Sequence, residues 1–173
     1  WGLVIGLVAP TAGGEPSPLG PTTRPSAADV AGAELVLAKP GRAYLQGERV
    51  VLGVGLTNTG SGELAFPMRR GDAEVGWIVR VTRDGKAAKL TELGRRLYGR
   101  PPGIERLSVE IRRIPSGGTA AAEVDVTKVF DLREEGAYEV TVIVYVAARA
   151  GGEALVELGS NVVTVKVRSR VVD

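Results

Sequence analysis

Apolar and polar residues alternate with period two through most of the chain beyond residue 48. The clearest case follows Gly136-Ala137-Tyr138-Glu139, where Val140, Val142, Val144 and Val146 recur at every second position. Period two places those valines on one face of an extended chain. The run predicts the central strand of a sandwich, with Tyr138 pinning the loop that enters it.

The same alternation sets Val50, Leu52, Val54 and Leu56 on one face between about Arg49 and Thr57. It returns at Val75, Trp77, Val79 and Val81, at Leu107, Val109 and Ile111, at Ala120, Ala122, Val124 and Val126, and at Val163, Val165 and Val167. A shorter strand is predicted at Glu34 to Ala38. Turn chemistry separates these runs: Lys39-Pro40-Gly41, Asn58-Thr59-Gly60-Ser61-Gly62, Asp84-Gly85 as a type I′ hairpin pair, Pro115-Ser116-Gly117-Gly118, and the polar Arg133-Glu134-Glu135-Gly136. Short strands at this spacing predict an all-β, Ig-like antiparallel β-sandwich of seven to nine strands over residues 31–173.

Finer expectations follow. Gly53 and Gly55, on the second face of their strand, predict a closely approaching backbone or a side chain lying across them. Lys86 to Leu90 is the expected return strand of the Asp84-Gly85 hairpin. Thr91 to Tyr98 reads as a short helix or a loop, and Val126 to Leu132 as a crossing between sheets through a short helical turn. Trp77 is the candidate core Trp of such a sandwich, and Tyr138 the candidate tyrosine corner.

Residues 1–30 break the pattern. Trp1 to Ala9 is apolar and uncharged, and too short to span a bilayer as an ordinary helix. It reads as the end of a signal-peptide h-region whose start is missing; the end of a membrane anchor and a first strand are the alternatives. Gly13 to Asp29 carries four prolines among Gly, Ser and Thr, a semi-extended linker. Together they predict an exported domain, whether secreted, periplasmic or cell-surface.

Several of these segments carry a resemblance. Leu56-Thr57-Asn58-Thr59-Gly60 after a Val-rich strand resembles the opening of many bacterial Ig-like domains. Ile114-Pro115-Ser116-Gly117-Gly118, Val124-Asp125-Val126, Phe130-Asp131-Leu132 and Gly136-x-Tyr138-x-Val140 resemble the second half of the same domains. Over about Glu48 to Val167 the chain is most similar to the sandwich domain of deuterolysin-type metalloendopeptidases and to the intracellular proteinase inhibitor type of domain. The resemblance implies the sandwich and an accessory or inhibitory role. The peptidase's His-Glu-x-x-His does not carry over, because the chain has no histidine.

Composition narrows the chemistry further. Without His there is no Ser-His-Asp triad and no His-ligated zinc, and without Cys no disulfide, thiolate nucleophile or Cys-ligated metal. No Ser or Lys has a visible activating partner, and Gly53-Val54-Gly55 precedes no helix, so it is no phosphate loop. Asp125, Asp131, Glu123, Glu134 and Glu135 are oxygen donors of the kind Ca²⁺ takes, but in no calcium-loop spacing; they read as solvated strand-edge charges. A net charge of +2 gives little reason to expect nucleic acid.

The Arg-rich stretch from Thr91 to Arg113 remains. Arg95, Arg96 and Arg100 around Tyr98 are the candidate binding residues, since bidentate guanidinium forks take carboxylate or phosphate groups. The sequence therefore predicts a non-catalytic, exported binding or accessory module. It has no cofactor or metal, its partner is a protein or an anionic polymer, and it meets a membrane only if the N-terminal run is an anchor. A proteinase inhibitor presenting Tyr98 to Ile104 is the alternative. A carboxylate-based hydrolase is a third reading, requiring two acids to converge in a cleft.

Overall fold

The computed structural model describes residues 32–69, 77–98, 109–147 and 155–170. The expectations for residues 1–30, for Arg100 and for most of the Tyr98 to Ile104 loop lie outside them. In chain order the strands are β1 (Ala33–Leu37), β2 (Tyr44–Leu45), β3 (Val51–Asn58), β4 (Leu64–Arg69), β5 (Ile78–Arg83) and β6 (Lys86–Ala87). Helix α1 (Glu92–Tyr98) precedes β7 (Val109–Ile114) and β8 (Thr119–Asp125), then come α2 (Val126–Val129), β9 (Gly136–Ala147), β10 (Leu155–Gly159) and β11 (Val163–Arg168).

Two sheets face each other. One runs β1-β3-β8; the other runs β2-β11-β9-β4-β7, with β5 and β10 also pairing with β9 and β6 extending β5. This is an all-β, Ig-like sandwich. As the alternating valines predict, β9 is the central strand. Its first half pairs with β11 on one side and β5 on the other, while its second half pairs with β10. Val140, Val142, Val144 and Val146 are fully buried, each contributing on the order of 1.5–3 kcal/mol relative to an exposed side chain. Val50, Leu52, Val54 and Leu56 face them from the other sheet side, all at most 3% exposed.

The structure differs from the sequence expectations at several points. Eleven strands are present among the described residues, because two-residue pieces such as β2 and β6 carry no readable alternation. One pairing is parallel: β2 lies beside β11, Tyr44 against Val167. The return strand after the hairpin is short. Asp84 and Gly85 have positive φ (51° and 73°), as a type I′ turn requires, but strand pairing ends at Ala87. Gly53 and Gly55 are not close-approach positions. An added Cβ would sit 3.6 Å from Ala38 Cβ and 3.8 Å from Thr119 Cγ2, ordinary contacts on an open face. In β7 the alternation misleads: Ile111 is 54% exposed, and Ile114 is the residue that enters the core.

Trp77 is buried and packs against Phe66, ring centroids 5.7 Å apart. Its Nε1 has no hydrogen-bond partner among the described residues. Tyr138 is buried, and its hydroxyl donates to the Glu134 carbonyl at 2.8 Å, four residues upstream. That bond closes the loop before β9 and has the geometry of a tyrosine corner.

Candidate functional site

At one end of the sandwich, α1 and α2 pack together and leave a cleft beside the segment that leads into β3. Each helix has a local cause. The carboxylate of Asp125 accepts from Thr127 N (3.1 Å), Lys128 N (3.3 Å) and Thr127 Oγ1 (2.6 Å), starting α2 as an N-cap. Thr91 Oγ1 accepts from Gly94 N at 3.0 Å, which starts α1 in the same way. The Thr91 hydroxyl also donates to Lys128 O (2.5 Å), and Thr91 N donates to Val129 O (2.9 Å), so α1 is fastened to the end of α2. Gly94 is buried at this contact: a Cβ there would lie 2.1 Å from Val129 O.

The cleft has a volume of about 540 Å³. Leu90, Phe130 and Leu132 are its apolar lining, and Arg49, Lys89, Arg95 and Arg133 bring four cations to it. Glu48, Glu92 and Asp131 also line it. Two of these acids already hold a guanidinium. Glu48 takes Arg42 (Nη1 to Oε2, 3.0 Å) and Leu45 N (2.8 Å). Asp131 takes Arg133 through both oxygens, at 2.8 and 2.7 Å. Arg49 is paired with Asp125 at 2.5 Å. Lys89 is exposed and makes no ion pair among the described residues, and exposed Arg95 places one N–H on Leu90 O at 3.2 Å. Of the four lining cations these two hold no carboxylate at ion-pair distance among the described residues, although the Lys89 charge also helps lower the Asp131 carboxyl.

The predicted site residues separate. Arg95 lines the cleft. Arg96 is exposed on α1 but does not line it. Tyr98 accepts from Val79 N at 3.1 Å and lies 6.3 Å, centroid to centroid, from Phe130, so it ties the end of α1 to β5. Sequence reasoning missed Arg49, Lys89 and Arg133. Each sits at the end of a strand or in a polar turn, where a charge is the ordinary occupant, so no local signal singles it out. The five carboxylates weighed for Ca²⁺ do not gather. Among the described residues no three acids could share an ion. Asp125 is not a solvated charge but a buried cap, 5% exposed, while Glu134 pairs with Arg83 and Glu135 with Ser169.

The electrostatics follow from these contacts. The Arg133 fork holds the Asp131 carboxyl down at about 2. Burial pushes the Asp125 carboxyl up, but hydrogen bonds from Thr127 and Arg49, with the Arg49 charge, outweigh it and leave the group below its ordinary value. Arg42 holds Glu48 at about 2. A carboxylate depressed in the folded state contributes stability above its unfolded value near 4, and that contribution is lost as pH falls through the folded value. With no histidine, the melting temperature is expected to stay level between pH 8 and 5 and to fall steeply between about pH 4 and 2. Asp131→Asn should flatten part of that fall, read by calorimetry across the pH series.

No family model matches the sequence, and no curated protein matches it. Solved structures match it at low identity. The ASH/PapD-like domain 7 of human CEP192 is 11% identical, with 94% of this chain and 99% of that one covered, at a TM-score of 0.41. A β-glucosidase from Listeria innocua is 12% identical over 78% of this chain and 16% of its own, at 0.33. BslA, a bacterial hydrophobin, is 11% identical over 82% and 97%, at 0.31. At these scores the reading of the cleft rests on its own residues.

Proposed function

We propose that this domain is a non-catalytic binding module, and that it takes an anionic group of a partner, an acidic protein segment or an anionic polymer, in the cleft between α1, α2 and the approach to β3. The observation that carries the reading is the arrangement of Lys89 and Arg95 at an apolar-lined cleft where Arg133 is held by Asp131, Arg49 by Asp125 and Glu48 by Arg42, so that Glu92 is the one lining acid among the described residues with no ion pair to set against two cations. Paired charges fix the shape of such a site, and unpaired ones attract. The apolar run and Pro-rich stretch of residues 1–30 support an exported module held on a tether.

Titration with poly-L-glutamate and, separately, a heparin fragment tests the site and distinguishes carboxylate from sulfate recognition. Wild-type protein should bind at least one of them, with affinity falling as salt rises. Lys89→Glu with Arg95→Glu should weaken binding about tenfold or more, with the melting temperature lowered by no more than about 5 °C, because both side chains are exposed and lose only one hydrogen bond and one favourable charge each. No binding by wild-type protein, or equal binding by the double variant, overturns the proposal. The inhibitor alternative uses the Tyr98 to Ile104 loop and makes a different prediction: stoichiometric loss of activity in a protease panel, unaffected by Lys89→Glu.

A further inference from the structure

The β1-β3-β8 sheet ends on β8, and among the described residues no strand pairs with its outer edge. Exposed edges are usually defended by charge, proline, bulges or shortness. The β7 edge of the other sheet carries exposed Glu110, Arg112 and Arg113. The end of β1 is clamped by Asn161, whose amide accepts from Leu37 N (2.8 Å) and donates to Leu37 O (3.0 Å) like a piece of strand. β8 has no proline, bulge or clamp, and its outward row carries a single charge, Glu123. It is seven residues long, Thr-Ala-Ala-Ala-Glu-Val-Asp, and pairs one-to-one with β3 without a bulge.

The pairing fixes which backbone groups point outward. Val126 N donates to Val50 O and Asn58 N to Gly118 O, so alternation along the antiparallel ladder turns the even-numbered residues of β8 toward β3. The free N–H and C=O groups belong to Thr119, Ala121 and Glu123, whose side chains are also exposed. This row is self-complementary. Folded about a two-fold axis at Ala121, it sets Ala121 against its own copy and Thr119 against Glu123, hydroxyl to carboxylate, with no like charges opposed.

We infer that β8 is a homodimerisation edge: two copies of this chain pair β8 to β8, antiparallel about Ala121, joining two three-stranded sheets through about six backbone hydrogen bonds.

Sedimentation of the 173-residue chain over a concentration series tests this. A reversible dimer is expected. Ala121→Lys, which puts a charge against its own copy, should shift the association constant toward monomer at least tenfold, with an unchanged melting temperature at concentrations where the wild-type chain is monomeric. Ala121→Pro should do the same, since it removes only an outward N–H. The chain has no cysteine, so Ala121→Cys gives a clean register test: mild oxidation should link it into a covalent dimer, and Glu123→Cys should not link. A monomer at every concentration, a dimer that both Ala121 variants leave intact, or linkage at 123 but not at 121 overturns the inference.

Discussion

Asn58→Ala is expected to cost about 2–4 kcal/mol, the largest loss of stability foreseen for any single polar side chain in the domain. Asn58 ends β3 and is 2% exposed. Its amide donates to Gly62 O at 2.7 Å and to Ile114 O at 2.9 Å, and its side-chain oxygen accepts from Gly60 N at 3.0 Å. Its backbone is engaged too, with N to Gly118 O and O from Gly117 N, both at 2.9 Å. One residue thus joins the β3–β4 turn to the turn that leads into β8. Truncation leaves the Ile114 carbonyl without that donor in the interior, and an unsatisfied buried group costs about 1–3 kcal/mol. Water can reach the two half-buried partners and recover part of their loss. For a domain of this size the melting temperature should drop by roughly 10 °C. Asn58→Asp keeps the acceptor for Gly60 N but sets a buried carboxylate oxygen against the Gly62 and Ile114 carbonyls, so at neutral pH it should cost at least as much as Asn58→Ala. A loss below about 1 kcal/mol in urea melts would mean that water replaces the amide at little cost.

Alternation made the strands legible. Where one face of a strand is buried and the other wet, side chains must alternate, and β3 and β11 follow that rule residue by residue, while β9 departs from it at Ile143, which is buried on the second face. The rule fails where its premise fails. β7 is an edge strand whose residues from Glu110 to Arg113 are all exposed, so Ile111 alternates in sequence without alternating in environment. Gly53 and Gly55 lie on an outer face, where a missing side chain needs no neighbour to explain it. The candidate site was legible only at Arg95. Arg49, Lys89 and Arg133 stand tens of residues apart and meet because β3, the bridge between Leu90 and Phe130, and the turn after α2 end at the same corner. A pattern of local periods carries no information about that convergence. The second face of Thr91 to Tyr98 was equally hidden: the Tyr98 hydroxyl is committed to Val79 N, a strand read independently of it.

Gly94→Ala should lower stability by about 1–3 kcal/mol and weaken anion binding with it. On an exposed helix the same change helps, since Ala is favoured over Gly by about 1 kcal/mol; the sign of the effect is therefore the test. The added Cβ would stand 2.1 Å from Val129 O and 3.0 Å from Val129 C. Both are backbone atoms, which cannot swing aside as a side chain would. α1 has to lift away from α2, and the bonds from Thr91 to Lys128 O and Val129 O stretch or break with it. Arg95 rides on α1 one residue further on, so the cleft loses one of its two available cations from position rather than from charge. The remaining sandwich, built on β9 and β3, does not depend on α1, so the variant should still fold, with a lower melting temperature and weak binding of whichever polymer the wild-type protein takes. If Gly94→Ala instead raised the melting temperature, α1 would not be packed on α2 at this distance. If it destabilised the domain yet bound as well as wild type, the cleft would not be the site, because an Arg95 displaced with its helix cannot hold the same ligand.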